Sequence, residues 1–379
     1  MPLTVGFDAT AAARQRAGIG RYTRQLLAAL AALKDDTLYR LFYCAGGRME
    51  GELPSLDQRF TVRPLPVSDR IVNLVWQRAR LPLPVQAIVG KFDLFHSPDF
   101  TLPPVRRKPT VLTIHDLAFM VMPQCAYPSL SAYLTEVVPR SARRASHIIA
   151  VSEQTRLDLI ERLSISPERI TTVPEAAGPE FQPAQDSHAA VGAVRALGIE
   201  GPYILSVGTL EPRKNYVRLL EAYAILRGAG VSHRLVIAGA RGWLFDPIFT
   251  RLDQLDLHDH VTFLRPDERS LLALYQSASV CVFPTLYEGF GIPPLEALAC
   301  GAPTACSSAA SLSEVVGDAA LLFDPLNVDE MAHCVQRLLE DAPLGAVLRE
   351  RGLQRAARFS WQQTAVETLE VYGRVVAGA

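Results

Sequence analysis

The sequence predicts an α/β protein built from two doubly wound, parallel-sheet domains. Three observations carry this reading. Short apolar, β-branched runs alternate with amphipathic helical segments along the chain. The alternation is interrupted around Pro174, Gly178, Pro179 and Pro183 and then restarts. A chain of 379 residues is also long enough for two domains, each with its own core. Strict strand–helix alternation forms parallel sheets covered on both faces by helices.

The first domain is expected over 1–178. Residues 3–7 read as its first strand and 8–17 as a loop. Gly18, Ile19, Gly20, Arg21 and Tyr22 then open an amphipathic helix through Leu33. A strand, a glycine-bearing loop and a helix make a Rossmann-like start, although the glycines can equally serve only a tight turn. Strands follow at 38–44 and 60–64, and a helix at 70–80 whose Val72, Val75, Trp76 and Ala79 share a face. Apolar runs at 92–96 and 110–114 end at His96 and just before His115 and Asp116. Next come a helix over 128–145, ending in Arg140, Arg143 and Arg144, and a strand at 147–151. Ser152 caps a helix through Leu163, and a strand at 170–173 closes this half.

The second domain, expected over 179–359, repeats the rhythm. Its strands read at 203–207, 235–238, 261–264 and 278–283, and its helices at 217–226 and 267–278. After Pro284 comes a loop carrying Glu288, Gly289, Phe290 and Gly291. Pro293 and Pro294 suit the start of a helix over 295–300, and Gly301 suits its stop. Segments 314–318 and 320–323 lead to helices at 328–340 and 343–357, and a last helix runs from Trp361 to Val376.

In open α/β sheets ligands gather beyond the C-terminal ends of the strands, so the loops there carry the chemistry. Unpaired N–H groups at a helix start attract phosphate, and carboxylates accept hydrogen bonds from sugar hydroxyls. Glu288 and Glu296 therefore suit a phosphorylated, hydroxyl-rich ligand; Glu296 can equally serve only its own helix N-terminus. Arg213 and Lys214 follow the strand at 203–207 and can neutralise a diphosphate, as a fork and a point charge. A lone histidine is by default a hydrogen-bonded core residue, and His96 is read that way.

Bulk properties narrow the class. Formal net charge is −1, but residues 1–185 hold 22 Lys+Arg against 17 Asp+Glu, a net of +5. The N-terminal half is thus the one suited to an anionic surface. Lysine occurs only at 34, 91, 108 and 214. The six cysteines have no zinc-ligand spacing and read as small buried hydrophobes of a reducing compartment. With no signal-peptide pattern and no stretch of eighteen apolar residues, a cytoplasmic location is expected.

Two glutamates with seven residues between them, in Glu288-Gly-Phe-Gly-Ile-Pro-Pro-Leu-Glu296 and continuing to Pro303, resemble the signature of family 4 retaining glycosyltransferases. Glu211-Pro-Arg-Lys-Asn215 resembles the phosphate-binding loop of that family, and His115-Asp-Leu117 its catalytic-site histidine. One departure is Thr209, where many members place an arginine after the glycine. The resemblance implies the GT-B fold, with two Rossmann-like domains facing across a cleft and the terminal helix, 360–379, packing back on the first. It implies retaining transfer from a nucleotide sugar, with Lys214 and Arg213 on the diphosphate, Glu288 on the transferred sugar and Glu296 on the ribose. His115 would sit beside the sugar. Gly18 and Gly20 would let the first loop approach the donor or acceptor, and Gly208, Gly289, Phe290, Gly291 and Ile292 would line the donor site. No Asp-x-Asp pair occurs, so neither metal nor other cofactor is expected. Within the family the motifs look most like bacterial O-antigen and exopolysaccharide mannosyltransferases. That implies GDP-mannose as donor and a lipid-linked saccharide acceptor, with peripheral contact to the inner face of the membrane through the N-terminal domain and no nucleic-acid partner. A UDP-sugar-using transferase, an epimerase or phosphorylase of the same fold, and a non-catalytic nucleotide-sugar-binding protein are the alternatives.

Overall fold

Among the described residues the thirteen strands are short and pair only in parallel, as strands covered by helices on both sides of a sheet do. The computed structural model describes residues 2–16 and 18–379; Met1 and Ala17, the end of the loop expected over 8–17, lie outside the described residues. The chain divides into two compact units. One comprises 1–117, 132–175 and 360–379, the other 118–131 and 176–359.

The first unit's sheet contains β1 (Thr4–Asp8), β2 (Leu38–Cys44), β3 (Phe60–Leu65), β4 (Leu94–Ser97), β5 (Thr110–Ile114), β6 (His147–Ala150) and β7 (Ile170–Thr172). Their spatial order is β3-β2-β1-β4-β5-β6-β7. The order reverses between β1 and β4, which is the switch point where the loops after two neighbouring strands diverge. Helix Trp361–Ala377 belongs to this unit. Ser360 caps it, Thr364 Oγ1 donates to the Pro174 carbonyl at 2.8 Å, and Trp361 packs edge-on against Tyr22. His96 is a core residue, with Nδ1 2.6 Å from the Tyr372 hydroxyl and Nε2 2.8 Å from Thr113 Oγ1.

The second unit's sheet contains β8 (Tyr203–Val207), β9 (Arg234–Ala238), β10 (Val261–Leu264), β11 (Val280–Phe283), β12 (Thr304–Ser307) and β13 (Leu321–Phe323). Their order is β10-β9-β8-β11-β12-β13, with the reversal between β8 and β11. Apolar side chains fill both faces: Ile204, Leu220, Leu235 and Val282 on one, Leu205, Val236, Cys281 and Leu298 on the other.

Several expectations need correction. The division between the units falls after Glu175 rather than Gly178, and 118–131, expected in the first domain, belongs to the second. Trp243 ties that segment down, its Nε1 donating to the Cys125 carbonyl at 2.6 Å. The helix over 70–80 is instead a short α-helix, Asp69–Asn73, continued by a π-helical turn, Leu74–Arg78. Ala79 N bonds Leu74 O, and the extra residue in the turn carries Gln77 into the interior while Ala79 is exposed. Arg140 and Arg144 are not free surface charges. Arg140 donates to Gln77 O and Oε1 at 2.8 and 3.0 Å, and Arg144 to Pro103 O at 3.0 Å. Strand β12 and the helices Ser187–Ala196 and Asp246–Gln254 were not foreseen. All six cysteines are free and buried.

Candidate active site

In the second unit the two loops that flank the switch point carry the charged side chains. After β8 the chain passes Gly208 and makes a 3-10 turn, Pro212–Lys214, before helix Tyr216–Gly228. Asn215 joins the two in the left-handed conformation, φ 61°, which asparagine tolerates. Its Nδ2 donates to Pro284 O at 3.0 Å and Pro325 O at 2.7 Å, which ties the loop to the one after β11. Gly208 is required for space. A Cβ there would lie 3.0–3.2 Å from the Tyr216 hydroxyl and the Lys214 stem.

The second loop begins at Pro284, and Leu286 N donates to Arg213 O at 2.9 Å. Arg213 then forks. Nη1 reaches Glu288 Oε2 at 2.6 Å and Tyr287 O at 2.8 Å, while Nη2 reaches Glu211 Oε1 at 2.6 Å. Lys214 Nζ donates to the other oxygen, Glu288 Oε1. Burial alone would push the Glu288 carboxyl up, but the two adjacent cations hold it down at about 2. Glu211 is hydrogen-bonded to Arg213 through one oxygen and also feels the charge of Glu288, so there desolvation wins and raises its carboxyl. Ser311 Oγ lies 2.9 Å from Glu288 O and 2.7 Å from Phe290 O, fixing the backbone on either side of Gly289.

Helix Ile292–Ala299 starts at Gly291, whose φ of 116° excludes side chains and whose added Cβ would lie 2.7 Å from Leu312. Pro293 and Pro294 lack N–H groups, so Ile292 alone among the first three helical positions retains a donor. This start offers fewer N–H donors to a phosphate than the motif suggests. Glu296 is not in the first turn. It is the fifth residue of the helix, 1% exposed, with Oε2 accepting from the Tyr275 hydroxyl at 3.0 Å. Phe290 is buried edge-on against Phe359.

The first unit holds the remaining candidates. Gly18 caps helix Ile19–Ala32 with φ 57° and has no atom within 4 Å of an added Cβ. Gly20 is needed for packing: a Cβ there would lie 2.1 Å from the Gln15 carbonyl oxygen. His115, directly after β5, is gripped at both ring nitrogens. Nδ1 lies 2.9 Å from Glu175 Oε1 and Nε2 2.9 Å from Pro98 O. Nearby, burial pushes the Asp8 carboxyl up to about 6 and raises that of Asp99, against hydrogen bonds from Thr10 and the charge of His115 respectively.

The site residues thus fall in two sets. Arg213, Lys214, Glu288 and Gly208 form one connected group that Gly289, Phe290, Gly291 and Ile292 continue, and Glu296 stands apart on its helix. His115 and Gly18 belong to the other unit. Sequence reasoning named Glu211 only as part of its motif, without its bond to Arg213, and missed Ser311, Tyr275 and Glu175. The strand-end rule points to Glu175, two residues after the strand read at 170–173. Ser311 was hidden because β12 was.

The description Glycosyltransferase Family 4 matches residues 16–180, and Glycosyl transferases group 1 matches residues 194–355. The chain is 31% identical over 368 residues to the O-antigen chain mannosyltransferase B of Escherichia coli, covering 94% of this chain and 95% of that one. The chain is a family 4 glycosyltransferase. A second relative of this transferase is the serotype-specific mannosyltransferase WbdA of Escherichia coli, 32% identical over 241 residues, of whose length the match spans 29%. Among solved structures, the sucrose-phosphate synthase of Thermosynechococcus elongatus superposes over the full length of both chains with a TM-score of 0.80 at 21% identity. The fold of the transferase is GT-B.

Proposed function

We propose that the transferase moves mannose from GDP-mannose onto a lipid-linked saccharide, with retention of the anomeric configuration and without a metal ion. The observation that carries this reading is the group formed by Arg213, Lys214 and Glu288 beside the switch point between β8 and β11. Two fixed cations there suit the diphosphate leaving group, and stabilising that charge lowers the barrier to glycosyl transfer. A carboxylate held at about 2 by two cations is a poor nucleophile. Glu288 is therefore better suited to accept hydrogen bonds from the sugar hydroxyls, which favours retention without a glycosyl-enzyme intermediate. Mannose and a saccharide-chain acceptor are supported by the O-antigen chain mannosyltransferase relative, aligned over 95% of its length.

Contact with a membrane surface is part of this proposal. Ile71, Leu74, Leu81 and Leu83 are each about half exposed on and beside the Asp69–Arg78 helical segment, with Arg70 and Arg78 among them. Exposed apolar side chains among basic ones suit an anionic leaflet. No helix of the described residues is long and apolar enough to cross a membrane.

The test is mass spectrometry of the purified protein incubated with GDP-mannose, GDP-glucose, UDP-glucose and UDP-galactose, each with and without a lipid-linked acceptor. Acceptor-dependent gain of one hexose from GDP-mannose is expected, and the anomeric coupling of the product reads the stereochemistry. Turnover of a UDP-sugar alone would overturn the donor assignment, and conversion without acceptor would overturn transfer.

A further inference from the structure

His115 is held between two oxygen acceptors. The Glu175 carboxylate faces Nδ1 and the Pro98 carbonyl faces Nε2, each at 2.9 Å. A neutral imidazole carries one N–H, so one of its nitrogens would present a lone pair to an oxygen. A carbonyl cannot donate, which fixes the proton on Nε2. The second proton lies between the ring and a carboxylate, and imidazole is the more basic of these two kinds of group. The ring that satisfies both contacts is therefore the imidazolium.

We propose that Glu175 is a positioning residue for glycosyl transfer: with the Pro98 carbonyl it locks His115 as a fixed, doubly protonated cation, so that His115 serves as a charge and not as a general acid or base. Both N–H bonds are consumed within the unit, which leaves the ring no proton to offer a ligand. The surroundings agree. Glu175 and His115 side chains are 7% and 11% exposed, so water competes weakly for either group. Tyr22 packs its ring edge-on at 4.6 Å from helix Ile19–Ala32, and Phe100 does so at 6.2 Å. Thr155 Oγ1 holds the His115 carbonyl at 3.1 Å. The ionisable groups around the ring are Glu175 after β7, Asp99 and His96 from the β4 strand and its loop, and Tyr22. Burial works against the charge, yet the Glu175 and Pro98 contacts together with Asp99 raise the proton affinity of His115 above the ordinary value. His96, buried between two hydroxyls, is driven the other way to about 3 and stays neutral.

The inference rests on His115 acting in the proposed transfer, but its first test needs no substrate. The ring of His115 is followed by NMR through its Cε1–H and nitrogen shifts in the ligand-free protein, with His115→Gln supplying the assignment. Wild-type His115 is expected to titrate above 6.5 with both nitrogens protonated at neutral pH. In Glu175→Gln the amide can donate to Nδ1, so the neutral Nε2–H tautomer becomes the satisfied form. The midpoint should then fall by at least one pH unit, a tenfold loss of proton affinity. Glu175→Asp, keeping the charge, should retain most of the shift. Where the protein turns over, Glu175→Gln should lower kcat more at pH 8 than at pH 6 and leave the donor KM unchanged. A wild-type His115 that is neutral at pH 6.5, or a Glu175→Gln midpoint equal to wild type, overturns the locked cation. Unchanged kcat across pH in a variant whose midpoint has moved overturns its part in transfer. Should Glu175→Gln fail to fold, the wild-type and Glu175→Asp titrations decide the first point, and the pH profile of Glu175→Asp, which must follow its own midpoint, decides the second.

Discussion

Arg213 donates from Nη1 to Glu288 Oε2 at 2.6 Å, joining two loops 75 residues apart in the chain. With Lys214 on the other oxygen, the pair forms a charge group that is already neutralised in part before any ligand arrives. A diphosphate entering this site competes with Glu288 for both cations. Glu288→Gln should therefore bind free GDP more tightly than wild type, several-fold by calorimetry at low salt. Its transfer rate should still fall by about a hundredfold, the scale for losing a preorganised polar group. Weaker GDP binding in Glu288→Gln would mean that the carboxylate organises the cations and does not compete with the ligand.

Lys214→Ala removes one of the two cations and leaves Arg213 with its Glu211, Tyr287 and Glu288 partners. Turnover at saturating donor should drop by about a hundredfold or more. Thermal stability should fall as well, because Lys214 is buried and Glu288 loses one of its two cations, so turnover is read well below the variant's own unfolding transition. Near-wild-type turnover would move leaving-group stabilisation elsewhere.

The ion pairs around Glu288 also set an acid limit. Its carboxyl is held at about 2 in the folded protein, below its ordinary 4.5. A depressed carboxyl contributes its full stabilisation above 4.5 and loses it as pH falls toward 2. The difference in denaturant midpoint between wild type and Glu288→Gln should thus be constant from pH 7 to 5 and move against wild type below 4.5. A difference independent of pH down to 3 would show that the pairs do not depress the carboxyl.

Much of the site was legible because strand ends announce themselves. The apolar runs before Gly208, His115 and Pro284 marked where loops begin, and in a doubly wound sheet those loops carry the ligand-binding groups. Long-range partners left no such mark. Glu175 sits in a stretch read as linker, and nothing local says that it reaches a histidine 60 residues earlier. Strand β12 is Thr304–Ser307, two hydroxyl residues around alanine and cysteine, so its burial on both faces produces no apolar run. The packing need at Gly20 was hidden for a related reason, since a glycine needed by a neighbouring carbonyl looks the same in sequence as one needed by a ligand. The π-helical turn at Leu74–Arg78 breaks the 3.6-residue period that a pattern search assumes.

Metal independence is proposed from the two fixed cations, Arg213 and Lys214. If Arg213 and Lys214 carry the leaving-group charge, exhaustive chelation should leave most of the transfer activity, measured in metal-free buffer against a control with added magnesium. Activity that vanishes on chelation and returns with magnesium or manganese would place a divalent ion on the diphosphate instead.

The membrane prediction turns on which basic residues are available. Arg140 and Arg144 are engaged by Gln77 and Pro103, so replacing them should disturb the packing around the π-helical turn more than any surface attraction. Arg80 is paired with Glu136 at 2.8 Å, although both side chains are 63% exposed. The attraction thus falls to exposed basic residues, Arg70, Arg78 and Arg143 among them, with the exposed Ile71, Leu74, Leu81 and Leu83. A basic residue near an anionic leaflet contributes about 1 kcal/mol, and burying apolar surface adds to it. Co-sedimentation with vesicles should rise with phosphatidylglycerol content and fall between low and physiological salt. Ile71→Ser combined with Leu74→Ser should reduce binding even at low salt, because the apolar part is unscreened. Arg70→Ser with Arg78→Ser should weaken the dependence on lipid charge. Binding that ignores both pairs of substitutions would discard this surface as the membrane contact and leave the transfer reaction as argued.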